Sequence, residues 1–200
     1  MEIIGHGTKL TNTLRLWSAE PAGDAVDSHD FSKYIRDVAA INQTLYPDDS
    51  TEEGKYLRLK QSYFFVSAGL TAMVKAHLRT YDTLDNFAEK NAIQLNDTHP
   101  VLAIPELMRI LMDDYLYEWD DAMEIVKKSF AYTNHTVLAE ALEKWPVNYV
   151  RTLLPRIYLI IEEIETEINK IIPYICSYFT VEQLKYLVRG GRVSKLSGTI

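Results

Sequence analysis

The sequence predicts an α/β chain that is rich in helix. Two short runs with strand character, residues 92–95 and 130–133, each lead into polar residues and then into a stretch with helical periodicity. Strands that alternate with helices are typical of α/β architectures. The composition fits a folded protein, since 47% of the 200 residues are hydrophobic and 24% are charged. This length suffices for one sizeable domain.

The first half of the chain is predicted to contain a strand, a short helix and a long helix. Residues 12–20 alternate loosely between apolar and polar side chains, which favours a strand. Asp30 is a suitable N-cap for a short helix that ends near residue 41. An acidic stretch with a proline and a glycine, residues 45–56, predicts an exposed loop. Apolar side chains then recur near the helical period over residues 56–78 and predict a long helix.

Helices dominate the second half. Between the two predicted strands, helices are expected at residues 100–112 and 119–130. Pro100 would occupy the first position of the earlier one, where its missing N–H does no harm. A further helix is predicted over about residues 138–145.

A long amphipathic helix is predicted from residue 155 to residue 172. Its apolar positions repeat with heptad-like spacing, at Ile157, Ile161, Ile164, Ile168 and Ile171. The repeat covers only about two heptads, so packing of this helix on its own domain is favoured over a coiled coil.

The charge and cysteine content exclude several classes of protein. A net charge of −7 and a pI near 5.3 argue against a nucleic-acid partner or an anionic membrane surface. No apolar run is long enough to span a membrane. Cys176 is the only cysteine, so no intrachain disulfide can form. Since the sequence shows no secretion signal either, a cytoplasmic location is expected.

Polar side chains follow each of the two predicted strands. Asp97 and His99 come directly after the first strand, and His135 follows the second. Ligands of open α/β sheets bind outside the carboxyl ends of the strands, so these residues can converge on one crevice. Backbone N–H groups and the positive end of a helix would favour an anionic or hydroxyl-rich ligand there.

The same residues also have structural explanations, which the sequence leaves open. Asp97 or Thr98 can cap the following helix, His99 can bond a backbone carbonyl, and His135 can be an ordered loop histidine. A metal site formed by Asp97, His99 and His135 is a further alternative, because three ligands with an open position make a catalytic zinc pattern. No other metal-ligand spacing occurs, so we expect no metal. The sequence also contains no Gly-rich phosphate-binding loop.

Several ordered stretches of the sequence resemble the α-glucan phosphorylases, the family of glycogen, starch and maltodextrin phosphorylases. They are "NTLRLWSAE", "LYPDDSTEEGKYLRLKQSYFFVSAGL", "AIQLNDTHPVLAIPELMRIL", "AYTNHTVLAEALEKWP" and "LLPRIYLIIEEI". The resemblance implies a partial Rossmann-like N-terminal lobe of the two-lobed glycosyltransferase (GT-B) fold, formed by residues 1–200 as a single partial domain. It also implies pyridoxal 5′-phosphate, held by a lysine of a C-terminal lobe that is absent from this chain.

The resemblance assigns roles to individual residues. Asp97 and His99 match an Asn-Asp-Thr-His stretch beside the glucosyl subsite and its adjoining pocket. His135 matches a histidine that contacts the region of the glucose 6-hydroxyl. Neutral imidazoles and carboxylates suit sugar hydroxyls, which both donate and accept hydrogen bonds.

A second implied feature is a mobile gate loop at the catalytic cleft. It would span residues 45–54, with Asp49 as its matching acid and Asp48 and Ser50 beside it. An acidic loop that moves is suited to a lid that admits phosphate. Without the resemblance, these acids would be read as the solvated face of a loop.

Two functions remain open at this stage. In the first, the chain supplies the sugar side of an enzyme that transfers glucosyl units from the non-reducing end of an α-1,4-glucan or maltodextrin to inorganic phosphate, giving glucose 1-phosphate. We expect the chain to be inactive alone, because it lacks the C-terminal lobe. In the second, the chain is a non-catalytic remnant that acts as a helical interaction module or a weak sugar-binding module. Apolar surface left uncovered by the missing lobe would favour self-association.

Overall fold

The computed structural model describes residues 1–22, 30–135, 138 and 142–178. The chain forms two compact units, Met1–Phe65 and Val66–Ile200. One long helix runs from the first unit into the second.

In the first unit, a small antiparallel sheet precedes two helices. Strands β1 (Glu2–Ile4) and β2 (Thr11–Thr13) pair with Glu2 opposite Thr13. The strand predicted over residues 12–20 is therefore wrong beyond residue 13. Backbone pairing continues only to Leu14, whose N–H donates to the Met1 carbonyl (2.9 Å). Further along, the Asn42 side chain bonds the backbone instead: its Nδ2 donates to the Trp17 carbonyl (3.0 Å) and its Oδ1 accepts the Ala19 N–H. A side chain thus takes the bonds that a neighbouring strand would otherwise make.

Helix α1 (Phe31–Gln43) confirms the prediction of a short helix. Asp30 is its N-cap and accepts a hydrogen bond from the Lys33 backbone N–H at 2.8 Å. At the other end, Gln61 Nε2 donates to the carbonyls of Ile41 (3.1 Å) and Thr44 (2.6 Å). Carbonyls at the end of α1 that lack a helical partner are satisfied in this way.

Helix α2 (Glu52–Leu78) confirms the predicted long helix but begins four residues earlier than expected. Thr51 Oγ1 accepts the Gly54 N–H at 3.1 Å and so caps the first turn. Glu52 and Glu53 lie in that turn, where carboxylates interact favourably with the positive helix end. These local interactions extend the helix into residues that composition alone assigned to a loop.

The second unit is organised around a parallel strand pair. Strands β3 (Ile93–Asn96) and β4 (Phe130–Thr133) confirm both predicted strands, and they pair in register from Ile93 opposite Phe130 to Asn96 opposite Thr133. The short helix α3 (Phe87–Lys90) precedes β3, and α5 (Trp119–Ser129) precedes β4 as predicted. Apolar side chains from the end of α2, from these elements and from later helices form the core, which includes Val74, Phe87, Leu95, Leu107, Leu111, Val126 and Ile160.

The helix after β3 begins later than predicted. Residues 98–102 form turns, with Val101 N–H bonded to the Thr98 carbonyl (3.2 Å) and Ala103 N–H bonded to the Pro100 carbonyl (2.9 Å). Helix α4 spans Ala103–Arg109, and a π-helical turn, Ile110–Asp114, continues it. Pro100 is therefore not at the first helical position. The N-cap is Leu102, which makes no side-chain cap bond.

A buried ionic cluster accompanies α4. The Glu106 side chain is fully buried and accepts hydrogen bonds from Ser67 Oγ (2.7 Å) and from Arg109 Nε (2.9 Å) and Nη2 (3.0 Å). Arg109 also pairs with Asp114 at 3.1 Å. Hydrogen bonds to Glu106 raise the pKa of Arg109, so the guanidinium stays charged.

Two helices end the described part of the chain. Helix α6 (Val147–Leu153) was not predicted from the sequence, and α7 (Pro155–Tyr178) confirms the predicted long helix. The helix predicted over residues 138–145 is not present at Leu138 or at residues 142–145, and residues 139–141 lie outside the described residues.

The buried face of α7 differs from the predicted heptad face. Ile157 and Ile160 are buried and Ile164 packs at the core margin, whereas Ile168 is 47% exposed. The buried positions follow the helical period where α7 contacts the core. In the part of the chain that the structure describes, no helix is long and apolar enough to cross a membrane.

Candidate functional site

The carboxyl ends of β3 and β4 lie side by side, and Asp97 joins them. Its backbone N–H donates to the Thr133 carbonyl at 2.8 Å. Its Oδ1 accepts the backbone N–H of His135, also at 2.8 Å. One residue therefore fixes the turn that follows β3 against the segment that follows β4, and the two polar segments predicted to converge are in direct contact.

Asp97 adopts a left-handed backbone conformation, with φ of 61°. Aspartate and asparagine tolerate this region better than most residues, because their short polar side chains can form local hydrogen bonds. In this structure the conformation lets the backbone and the side chain of Asp97 bond to the β4 side together. The alternative that Asp97 or Thr98 caps α4 does not occur, since α4 begins at Ala103.

His99 pairs with Glu143, a residue that no sequence pattern indicated. His99 Nδ1 lies 3.1 Å from Glu143 Oε1, and the two side chains are 51% and 14% exposed. Thr98 Oγ1 also accepts the Glu143 backbone N–H at 3.2 Å. No local motif links Glu143 to residues more than 40 positions earlier, so only the tertiary fold reveals this contact.

The edge of the strand pair beside this contact is polar. Gln94 Nε2 donates to Thr133 Oγ1 at 2.8 Å on the exposed side of the sheet. Tyr132 lies between this edge and the core, and burial together with the nearby Asp97 carboxylate raises the pKa of its hydroxyl. The tyrosine is therefore a neutral hydrogen-bonding group at physiological pH. We call Asp97, Thr98, His99, His135 and Glu143 the strand-end site.

Within the described residues, no group of three or more His, Cys, Asp or Glu side chains is arranged to hold a metal ion. His99 and Asp97 are engaged elsewhere, with Glu143 and with the His135 amide respectively. The metal alternative thus gains no support from the geometry.

The expected gate, residues 45–54, lies in the first unit, and its last three residues form the start of α2. Asp48 Oδ1 accepts the Ser50 N–H at 2.9 Å, and this bond lowers the pKa of the Asp48 carboxyl. Asp49 Oδ2 pairs with Arg58 Nη1 at 2.9 Å. A Cβ on Gly54 would lie 1.7 Å from the Asp48 carbonyl oxygen, so the loop rests directly on the first turn of α2.

Comparison with known proteins identifies the class of protein to which this fold and these segments belong. Residues 1–182 match the family model of the carbohydrate phosphorylases. The chain belongs to the carbohydrate phosphorylase family, which confirms the resemblance seen in the sequence. Membership implies the GT-B fold, of which the described residues show a helix-rich α/β part with small two-stranded sheets.

Particular relatives include glycogen phosphorylases from distant organisms. The chain is 50% identical over 162 residues to glycogen phosphorylase of Bacillus subtilis. The matched region covers 81% of this chain and 20% of the relative. It is 48% identical over 180 residues to the muscle form of glycogen phosphorylase of Ovis aries, and the match covers 81% of this chain and 21% of the relative. It is 47% identical over 176 residues to the cytosolic alpha-glucan phosphorylase 2 of Arabidopsis thaliana, and the match covers 82% of this chain and 21% of the relative. The chain thus spans about a fifth of the length of the curated relatives it matches.

Proposed function

We propose that this chain supplies the sugar side of the active site of a glucan phosphorylase. The reaction transfers a glucosyl unit from the non-reducing end of an α-1,4-glucan to inorganic phosphate and yields glucose 1-phosphate. Asp97, His99 and His135 would bind the sugar. The observation that carries this proposal is the contact between the two strand ends through Asp97, within a chain that belongs to the phosphorylase family.

The chemistry of the strand-end site supports a hydroxyl-rich ligand. A carboxylate accepts hydrogen bonds only, whereas a neutral imidazole offers one donor and one acceptor. Sugar hydroxyls can satisfy both kinds of group. Asp97 and Glu143 are partly buried and His99 is half exposed, so the imidazole can meet a ligand while its carboxylate partner holds it in place.

Residues 45–54, of which 45–51 precede α2, are proposed as the gate of the same enzyme. Asp49 carries the negative charge, and its ion pair with Arg58 is largely exposed on the carboxylate side. Exposed pairs of this kind contribute about 0–1 kcal/mol, so opening the loop would not be strongly opposed by this contact.

Pyridoxal 5′-phosphate is the cofactor implied by the family, and it would supply a phosphate group for proton exchange with the substrate phosphate. Among the lysines of the described residues, none is buried, so this part of the chain offers no enclosed lysine to hold the cofactor. We propose that these 200 residues, which span about a fifth of the length of the matched relatives, are inactive alone and act with a C-terminal lobe. One relative is named as cytosolic, and we propose a cytoplasmic location for this chain too.

Titration of the 15N-labelled chain with maltotriose tests the sugar-binding role. We expect shifts at His99 and His135, and roughly tenfold weaker binding in Asp97→Ala, because a charged hydrogen bond is lost. Asp82→Ala, an exposed aspartate in the same unit, is the matched control and should bind as the parent does. An absence of any shift at these histidines at saturating maltotriose would refute the proposed role. Glucose 1-phosphate formed by the pure chain from maltodextrin and phosphate would refute its inactivity.

The second candidate is a non-catalytic interaction module, and exposed apolar side chains in the first unit favour it. Ile4, Leu10 and Leu16 are 78%, 76% and 75% exposed. Exposed apolar patches mark protein–protein contacts or association. Sedimentation velocity over a range of concentrations tests this candidate, and a chain that stays monomeric at all concentrations would contradict it.

A further inference from the structure

Glu143 contacts the strand-end site at two points, through its backbone and through its side chain. Its N–H donates to Thr98 Oγ1 at 3.2 Å, and its carboxylate faces His99 Nδ1 at 3.1 Å. Thr98 and His99 belong to the turn after β3, whereas Glu143 lies in the segment that leads to α6. The pair of contacts therefore fixes both the position of Glu143 and the orientation of the His99 ring.

The carboxylate also determines which ring nitrogen carries the proton. An ionised carboxylate only accepts hydrogen bonds, so the His99 nitrogen that faces it must donate. A neutral imidazole has one N–H, and a proton on Nδ1 leaves Nε2 as the acceptor. A neutral histidine side chain in water prefers the opposite arrangement, with the proton on Nε2. The position of Glu143 thus selects the less common tautomer.

We propose that Glu143 is a positioning residue that holds neutral His99 with its proton on Nδ1 and so presents Nε2 as an acceptor for a sugar hydroxyl. The statement about the sugar rests on the function proposed above, whereas the tautomer of the neutral ring follows from the contact between Nδ1 and Glu143. The sugar group at His99 would then be a hydroxyl that donates its proton. Outer partners of this kind commonly fix the tautomer and orientation of functional histidines.

The test is a long-range 15N–1H correlation spectrum of the histidine rings of the full 200-residue chain. It is recorded without sugar at about pH 9, well above the ordinary pKa of imidazole. Protonated and unprotonated ring nitrogens have widely separated 15N shifts, so the spectrum identifies the tautomer directly. We expect the Nδ1–H form for His99 in the parent chain. This measurement needs no variant, so it does not depend on how well a variant folds.

Variants then connect the tautomer to Glu143. Glu143→Gln retains an oxygen that can accept from Nδ1 and should keep the Nδ1–H form. Glu143→Met removes the acceptor at similar volume and should shift His99 to the Nε2–H form. Glu124→Met, at an exposed position of α5, is the matched control and should leave the ring spectrum unchanged. A merely structural role of Glu143 would not produce this ordered pattern.

Each outcome separates this inference from the proposed function. An Nε2–H form in the parent chain, or an Nδ1–H form that persists in folded Glu143→Met, overturns the positioning role. If the expected tautomers are observed and maltotriose still shifts neither His99 nor His135, the positioning role stands and the sugar-binding function fails. If maltotriose binds, Glu143→Met should weaken binding about threefold to tenfold, the effect of a typical hydrogen bond.

Discussion

Substitution of Gly54 by alanine tests whether the proposed gate loop is fixed by its contact with α2. The new Cβ would lie 1.7 Å from the Asp48 carbonyl oxygen and 2.8 Å from its carbon. Ordinary contacts between such atoms are about 3.4 Å or longer, so the loop or the helix end must move by more than an ångström. Both atoms that Cβ would meet belong to the backbone, so a rotamer change cannot relieve the clash.

Two opposing free-energy terms decide the result. Alanine is favoured over glycine inside a helix by about 1 kcal/mol. Overpacking costs about 1–3 kcal/mol, and this site, which contacts backbone, belongs at the upper end of that range. We therefore expect Gly54→Ala to destabilise the chain by about 1–2 kcal/mol. The loop that carries Asp48, Asp49 and Ser50 should also be displaced.

Gly69 provides the matched control, because it lies in the same helix and a Cβ there meets no atom within 4 Å. Gly69→Ala should stabilise the chain by about 0.5–1 kcal/mol. Urea unfolding followed by circular dichroism measures both changes, and amide spectra report on residues 48–50. If Gly54→Ala is as stable as Gly69→Ala and the amides of residues 48–50 do not shift, the loop is not held by this contact and the reasoning is refuted.

Three further predictions follow from other contacts. Asp97→Asn should retain most stability, because asparagine keeps an acceptor oxygen and tolerates the left-handed backbone, whereas Asp97→Ala should lose about 1–2 kcal/mol in urea unfolding; equal losses would contradict this. Glu106→Leu should cost about 3–5 kcal/mol in urea unfolding, because Arg109 loses its buried partner and keeps only the exposed Asp114. Adding Arg109→Met should recover much of this loss, and a double variant no more stable than Glu106→Leu would contradict it. The Arg156 guanidinium lowers the pKa of Asp113. Their pair therefore stabilises the fold fully above the pKa of an unfolded aspartate, which is about 4, and this contribution is lost as the pH falls through the lower pKa of the folded state. Asp113→Asn should thus lower the melting temperature at neutral pH, and the difference from the parent chain should shrink in acid; a gap that does not change with pH would argue against it.

The long helices and both strands of the second unit could be predicted because their signals are local. Apolar periodicity identified α2 and α7, and strand-prone runs identified β3 and β4. The prediction of the first strand failed where a side chain that is distant in the sequence bonds the backbone, a contact that the local pattern does not encode. Asn42 bonds the backbone of Trp17 and Ala19, so the last part of the predicted first strand is held by a side chain and β2 covers only Thr11–Thr13.

The candidate site was predictable only in part, for the same reason. The strand-end rule placed polar residues after β3 and β4 in one region, and Asp97 does contact the backbone of His135. The rule could not find Glu143, because its contact with His99 depends on the path of the chain before α6. The preference of proline for the first helical position misplaced Pro100, because the turns that follow Asp97 delay the start of α4 until Ala103.

The contacts of Asp97 join its structural role to its proposed role in binding. A residue that only stabilised the turn after β3 would need its backbone bond to Thr133, and the bond from its carboxylate to the His135 amide would add little to that turn. The bond to the His135 amide instead fixes the segment that carries His135, one proposed sugar contact, relative to Asp97, which is another. Groups fixed before a ligand arrives lose less conformational freedom on binding, which raises affinity without new contacts. We therefore propose that the strand-end site is a preorganised set of donors and acceptors, a property that binding a pattern of sugar hydroxyls would require.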